Sequence, residues 1–159
     1  MENTEKKIPK IHSLLVNKKG LSDFEVLKEY ECWIKLEWYE VKSIREKHFH
    51  LKTSFVTIRE GNVYIHKFHI SPYKQFTNKE AYDPEREKKL LLHKKSVDAL
   101  SQKIKEKGFT IIPTEVYFKW NLIKMKIGLA RWKKQYEKKE ALKKRDIEMD
   151  IRRSLSERR

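Results

Sequence analysis

A mostly β chain, folded as a small barrel with flanking helices and a basic C-terminal extension, is what this sequence predicts. Three observations lead there. Short runs of alternating apolar and polar residues recur between turn signals. Helical spacing is confined to brief stretches of the body. Past Gly128 there is no further Gly or Pro, and Lys, Arg and Glu dominate to the C-terminus. A folded body therefore ends near residue 130, and its 159 residues in all suit one domain with an appendage.

Residues 1–12 are polar and Lys-rich, which predicts a mobile start. Leu14–Val16 is a short apolar run, and Asn17-Lys18-Lys19-Gly20 reads as a turn-like basic cluster. Ser22 or Asp23 suits the cap of a short helical turn. From Glu25 to Tyr39 the pattern is strand-like. Tyr30, Cys32, Ile34, Leu36 and Trp38 share one face, with Glu31, Lys35 and Glu37 on the other. Trp33 and Tyr39 place aromatics on the polar face, either as cover for a second small core or as a stacking platform. After Glu40 the period changes, and Val41, Ile44 and His48 predict a short helix over 40–47.

Residues 53–58 and 62–70 predict a hairpin turning through Arg59-Glu60-Gly61-Asn62, where Gly61 supplies the positive φ. Ser71-Pro72-Tyr73 ends its second strand, and 74–82 is a polar loop. Asp83-Pro84-Glu85 has the composition of a helix start, predicting a short helix to about Lys89 before Leu90-Leu91-Leu92. The stripe Val97, Leu100, Ile104, with Gly108 after it, predicts a helix over 94–107. Phe109–Trp120 reads as a strand pair interrupted at Pro113, at an edge or a bulge. Trp120-Asn121 then turns into a strand over Leu122–Leu129. About five or six strands with two or three helices best fit an OB-type barrel.

The chain carries 38 Lys and Arg against 23 Asp and Glu, a net charge of +15. Such an excess calls for an anionic partner, and nucleic acid is the main candidate. A membrane partner is disfavoured, because the longest apolar run is about four residues, and the charged N-terminus has no apolar core of a signal peptide. The one cysteine, Cys32, excludes an internal disulfide and suits a reducing cytoplasm. Residues 131–159 hold twelve basic and six acidic residues, a net +6. The i, i+4, i+8 spacing of Ile147, Ile151 and Leu155 gives this tail one helical stripe, too thin to fold it alone. The expectation is a tail disordered when free and helical on a polyanion.

His48-x-His50 and His66-x-x-His69 invite a metal reading, but no cysteine joins them and a metal centre needs three convergent ligands. There is no Ser-His-Asp arrangement, and four glycines in all argue against a phosphate-cradling loop. The sequence thus calls for no cofactor and no enzyme activity.

Several blocks resemble one family. They are Glu40-Val41-Lys42-Ser43-Ile44-Arg45; Ile70-Ser71-Pro72-Tyr73; Asp83-Pro84-x-Arg86-x-x-Lys89-Leu90-Leu91-Leu92; Gly108–Ile112 with Val116-Tyr117-Phe118-Lys119; and Ile127-Gly128-Leu129-Ala130 followed by Lys133-Lys134. In that order and spacing, over roughly residues 12–155, they resemble the SmpB (SsrA-binding protein) family. The resemblance implies an OB-type barrel gripping the tRNA-like domain of transfer-messenger RNA (tmRNA). It also implies a tail that enters the decoding centre and empty messenger channel of a stalled ribosome. The implied partners are tmRNA, small-subunit ribosomal RNA and the 70S ribosome, with the protein a monomer in a one-to-one RNA complex.

The resemblance puts Asn17, Glu31 and Leu91 at the RNA surface, and with them the basic residues Lys18, Lys19, Lys119, Lys124, Lys126, Lys133 and Lys134. Trp132–Lys139 matches the decoding-centre stretch, with Tyr136, Glu137, Lys138 and Lys139 as its contacts. Glu31 fits an RNA site if it accepts from a base amino group or orients a basic neighbour. The chain departs from the family where Trp33, Trp38, Asn121 and Trp132 stand for glycines, and where Glu137-Lys138-Lys139 replaces Asp-Lys-Arg. The rival readings are a structural ribosomal protein, a generic basic OB-fold RNA binder and a metal-dependent nuclease.

Overall fold

The computed structural model describes residues 10–157, apart from the side chains of residues 135–138, 140 and 141. Most of the mobile start expected over 1–12 lies outside the described residues. Strand β1 (Ile11–Val16) already includes Ile11 and His12.

Long strands β2 (Phe24–Ile34), β8 (Phe109–Lys119) and β9 (Leu122–Trp132) form the frame. Shorter strands β4 (Phe55–Arg59), β5 (Asn62–His66) and β7 (Lys88–Leu91) complete it. All pairings are antiparallel, and β8–β4–β5–β7–β2–β9 returns to β8, closing a six-stranded barrel. On one side β8 pairs with β9 along its whole length. On the other it meets β4 at Ile111, then β1 over Glu115–Lys119. The fold is therefore mostly β and of the expected barrel type. Along β5 and β7 buried residues alternate with less buried ones, as the pleat requires, whereas β8 and β9 each carry a run of four buried residues. Cys32, Ile65, Leu90, Val116, Met125 and Ile127 are buried in one core, to which Ile44, Val97 and Leu100 are added from helices.

Local chemistry fixed several elements as expected. The β4–β5 connection carries Glu60 and Gly61 at φ 51° and 75°. Trp120 and Asn121 turn β8 into β9 at φ 55° and 62°, the geometry of a two-residue hairpin. Asn121 tolerates that conformation. Trp33, Trp38 and Trp132 have ordinary negative φ, so tryptophan meets no backbone penalty there. Helix α3 (Lys94–Lys103) stops four residues short of the expected end at 107, and turns carry the chain on to Gly108, φ 92°. Gly128 is required by close approach: a Cβ there would lie 2.7 Å from Val26 Cγ1.

Other expectations are corrected. Helix α1 (Lys18–Asp23) is capped by Asn17, not by Ser22 or Asp23: Asn17 Oδ1 accepts from Gly20 N at 3.1 Å. The strand expected through Tyr39 ends at Ile34, and Trp38–Arg45 form helix α2. Glu37 caps it reciprocally with Glu40, whose carboxylate accepts from Glu37 N at 2.9 Å. The strand expected over 62–70 breaks at Lys67, φ 55°, into β5 and a separate β6 (His69–Ile70) paired with β3 (Phe49–His50).

No helix forms over 83–89. Asp83 Oδ1 accepts from Glu85 N at 3.0 Å in an Asx turn, and Lys88–Leu91 is a strand paired on both sides. Two ladders outweigh a local helix signal of a few tenths to about 1 kcal/mol. Phe109–Lys119 is one strand, and Pro113 sits at a bulge where the β8–β9 register shifts between Pro113 and Glu115. Strand β9 runs on to Trp132. Beyond it, Gln135–Glu157 is a single helix, α4, about 35 Å long.

Candidate nucleic-acid interface

Strand register puts the outer face of the barrel together. Leu91, Trp33, Lys124 and Tyr117 are successive cross-strand partners on β7, β2, β9 and β8. The next row is Glu31, Lys126 and Glu115, and Glu115 also pairs with Val16, the residue before Asn17. Cross-strand partners share a face, so residues far apart in the chain converge on one surface.

Glu31 is the hub. Its carboxylate accepts from Lys124 Nζ at 2.6 Å, from Lys119 Nζ at 3.1 Å and from the Tyr117 hydroxyl. Burial alone would raise the Glu31 pKa, but hydrogen bonds from Lys124, Tyr117 and Lys119 outweigh it and hold it at about 2. Burial, reinforced by the Glu31 charge, pushes the Tyr117 hydroxyl well above its usual range. Tyr117 is thus a fixed donor. With its lone pairs met by three protein donors, Glu31 orients basic neighbours; of the two roles open to it, this is the one its geometry supports. Lys124 Nζ also lies 4.3 Å from the centre of the Trp33 ring. Lys126 reaches Glu115 at 3.5 Å and lies over Tyr117. The three lysines are therefore a partly neutralised, ordered set, not a bare basic patch.

Beside the hub, Glu31, Trp33, Leu91, His93, Ser96 and Lys124 line one cleft. Leu91 is 46% exposed, although it belongs to a buried-looking Leu triplet. Its strand alternation turns it outward while Leu90, 2% exposed, turns in.

The second group gathers at the body–tail junction. Asn17 is buried, its Nδ2 donating to the Pro113 carbonyl at 2.8 Å. It builds the junction by capping α1, which holds Lys18 and Lys19 exposed at the surface. Lys133 joins the same place: its Nζ donates to the Leu21 carbonyl at 3.2 Å and its backbone N to the Asp23 carbonyl at 3.0 Å. Lys134 follows, exposed. Basic clusters over a hundred residues apart in sequence are thus neighbours. Lys139 is exposed on α4, whereas the side chains of Tyr136, Glu137 and Lys138 lie outside the described residues.

Sequence reasoning missed Tyr117 and Glu115. Nothing local marks them, since only the β8–β9–β2 register joins them to Glu31. The histidines separate: His50 and His69 stack at 4.5 Å, and His66 Nε2 lies 2.6 Å from Thr57 Oγ1. Among the described residues no three His, Cys, Asp or Glu side chains converge as metal ligands, and no helix is long and apolar enough to cross a membrane.

A closed six-stranded barrel with an ordered lysine face and a basic junction defines the class of small OB-type nucleic-acid-binding proteins. Residues 14–157 match the family described as SmpB protein, and the chain belongs to that family. It is 42% identical over 142 residues to the SsrA-binding protein of Geotalea uraniireducens (strain Rf4), covering 89% of this chain and 93% of the relative. The SsrA-binding protein of Sulfurihydrogenibium sp. (strain YO3AOP1) is 46% identical over 139 residues, covering 87% of this chain and 91% of that one. Among solved structures, one chain of "tmRNA-SmpB: a journey to the center of the bacterial ribosome" superposes with a TM-score of 0.64 at 38% identity, covering 80% of this chain and 93% of that one.

Proposed function

We propose that this chain is the tmRNA-binding adaptor of trans-translation. It grips the tRNA-like domain through the barrel and extends its basic tail into the decoding centre of a stalled ribosome. The observation that carries this reading is the family match across body and tail together. On this reading Lys119, Lys124 and Lys126, ordered by Glu31 and Glu115, meet the RNA beside Leu91. Lys18, Lys19, Lys133 and Lys134 meet phosphates at the junction, held by Asn17. The tail, with Tyr136, Glu137, Lys138 and Lys139, serves the ribosome, and the division into a body over 13–130 and a tail over 131–159 is part of the proposal. The adaptor works in the cytoplasm, by holding RNA, and needs no bond-making step of its own.

The test is a titration with the isolated tRNA-like domain at two salt concentrations, with an elongator tRNA as competitor. Tight binding that weakens steeply with salt and that tRNA competes for poorly is expected. Equal affinity for both RNAs would reduce the protein to a generic basic binder.

A further inference from the structure

We propose that Trp33 is a stacking platform for an unpaired nucleobase of the bound RNA. The inference deepens the adaptor reading and rests on it. Trp33 is 44% exposed near the C-terminal end of β2, where an outward aromatic loses hydrophobic burial. It stands as a ridge between two clefts, one lined by Glu31, Leu91, His93 and Ser96, the other by Leu36, Val41, Arg45, Asn121 and Leu122.

The ring is held from within the sheet. Lys124 is its cross-strand neighbour on β9, and its ammonium lies 4.3 Å from the ring centre while bonded to Glu31 at 2.6 Å. That chain of contacts fixes the orientation of the indole before a ligand arrives. On the β7 side its neighbour is Leu91, also outward and exposed.

The surroundings select the chemistry of the occupant. Lys119, Lys124 and Arg45 supply positive charge, and both clefts offer polar groups to the edge of a planar ring. An acidic or purely aliphatic partner would use only part of that set. A base on a phosphate backbone uses all of it. Stacking is also tolerant of base identity, so the platform adds affinity and registers the RNA without reading a particular letter.

The experiment compares the full-length wild type with Trp33→Phe and Trp33→Leu, titrated with the isolated tRNA-like domain at two salt concentrations while tryptophan emission is followed. Trp33→Leu is expected to bind about tenfold more weakly, the loss of one base–aromatic stack, with an unchanged salt slope because no phosphate contact is removed. Trp33→Phe keeps a ring and should stay within about threefold of wild type, while losing part of the RNA-induced quenching.

If wild type itself shows no salt-sensitive binding, the adaptor reading fails. If wild type binds and Trp33→Leu matches it in affinity, the platform is overturned and the adaptor reading stands. A Trp33→Leu whose salt slope falls along with its affinity also overturns the platform, because Trp33 would then only position Lys124.

Discussion

Replacing Glu40 by Gln should unfold much of this protein's margin of stability without touching the RNA face. Glu40 is 1% exposed on α2, and its carboxylate meets Arg86, bonded through Nη2, and Lys88 Nζ at 3.6 Å. Lys88 is fully buried, further held by the carbonyls of Phe68 at 3.1 Å and Arg86 at 2.8 Å. Glutamine preserves the shape and can still accept from Glu37 N, but it leaves a buried ammonium without its counter-charge. Removing one partner of such a pair costs about 3–5 kcal/mol. At roughly 2–4 °C per kcal/mol for a chain of this size, the midpoint should fall by about 10 °C.

The pH dependence of this variant separates lost charge from lost packing. Burial already lowers the Lys88 pKa, with Glu40 opposing that shift. Without Glu40 the folded-state pKa drops further below the unfolded value. Between the two values the unfolded chain binds one more proton, so stability rises with pH there. Glu40→Gln should therefore recover toward wild type as pH climbs through the alkaline range. Thermal and urea denaturation of Glu40→Gln, Lys88→Met and the double variant would measure the coupling. A Glu40→Gln within 1 kcal/mol of wild type, or additive single effects, would refute the reasoning.

A chain ending at Lys134 keeps all of β9 and the Lys133 contacts to α1 but lacks α4. It should bind the tRNA-like domain and fail to support peptide tagging on stalled ribosomes; loss of RNA binding in a gel-shift assay would place the main surface in the tail instead. Glu31, held at about 2 from an ordinary 4.5, gives stability that is present above the unfolded value and is lost as pH falls through the folded one. Acid denaturation of Glu31→Gln should accordingly be shallower than that of wild type between those limits, and identical acid limbs would mean that the Lys119 and Lys124 contacts contribute nothing to folding.

By itself the sequence determined the parts that depend on neighbours in the chain. Backbone conformation at Gly61, Asn121 and Gly108 is a property of a few adjacent residues, so those turns were legible, although α3 itself stops at Lys103. So were the barrel class, from recurrent alternation, and the call for a polyanion, from net charge. The family resemblance and the charge pattern named Glu31, Leu91 and the lysines, and the strand pattern singled out Trp33 as an aromatic on the polar face.

Tertiary structure decided what those residues do. Asp83-Pro84-Glu85 carries a helix start, yet ladders to β5 and β2 made a strand of the residues that follow. Glu40 and Arg86 sit in two signature blocks, but the fold buries their charges against Lys88, so their place is in the framework. Asn17, which the resemblance puts at the RNA surface, is buried and caps α1. The Glu31 hub needs Tyr117 and Lys124, which only the closure of β8 and β9 onto β2 brings near. Local energies of about 1 kcal/mol choose turns and caps, whereas ladder pairing and buried charge, worth several times more, choose register and burial.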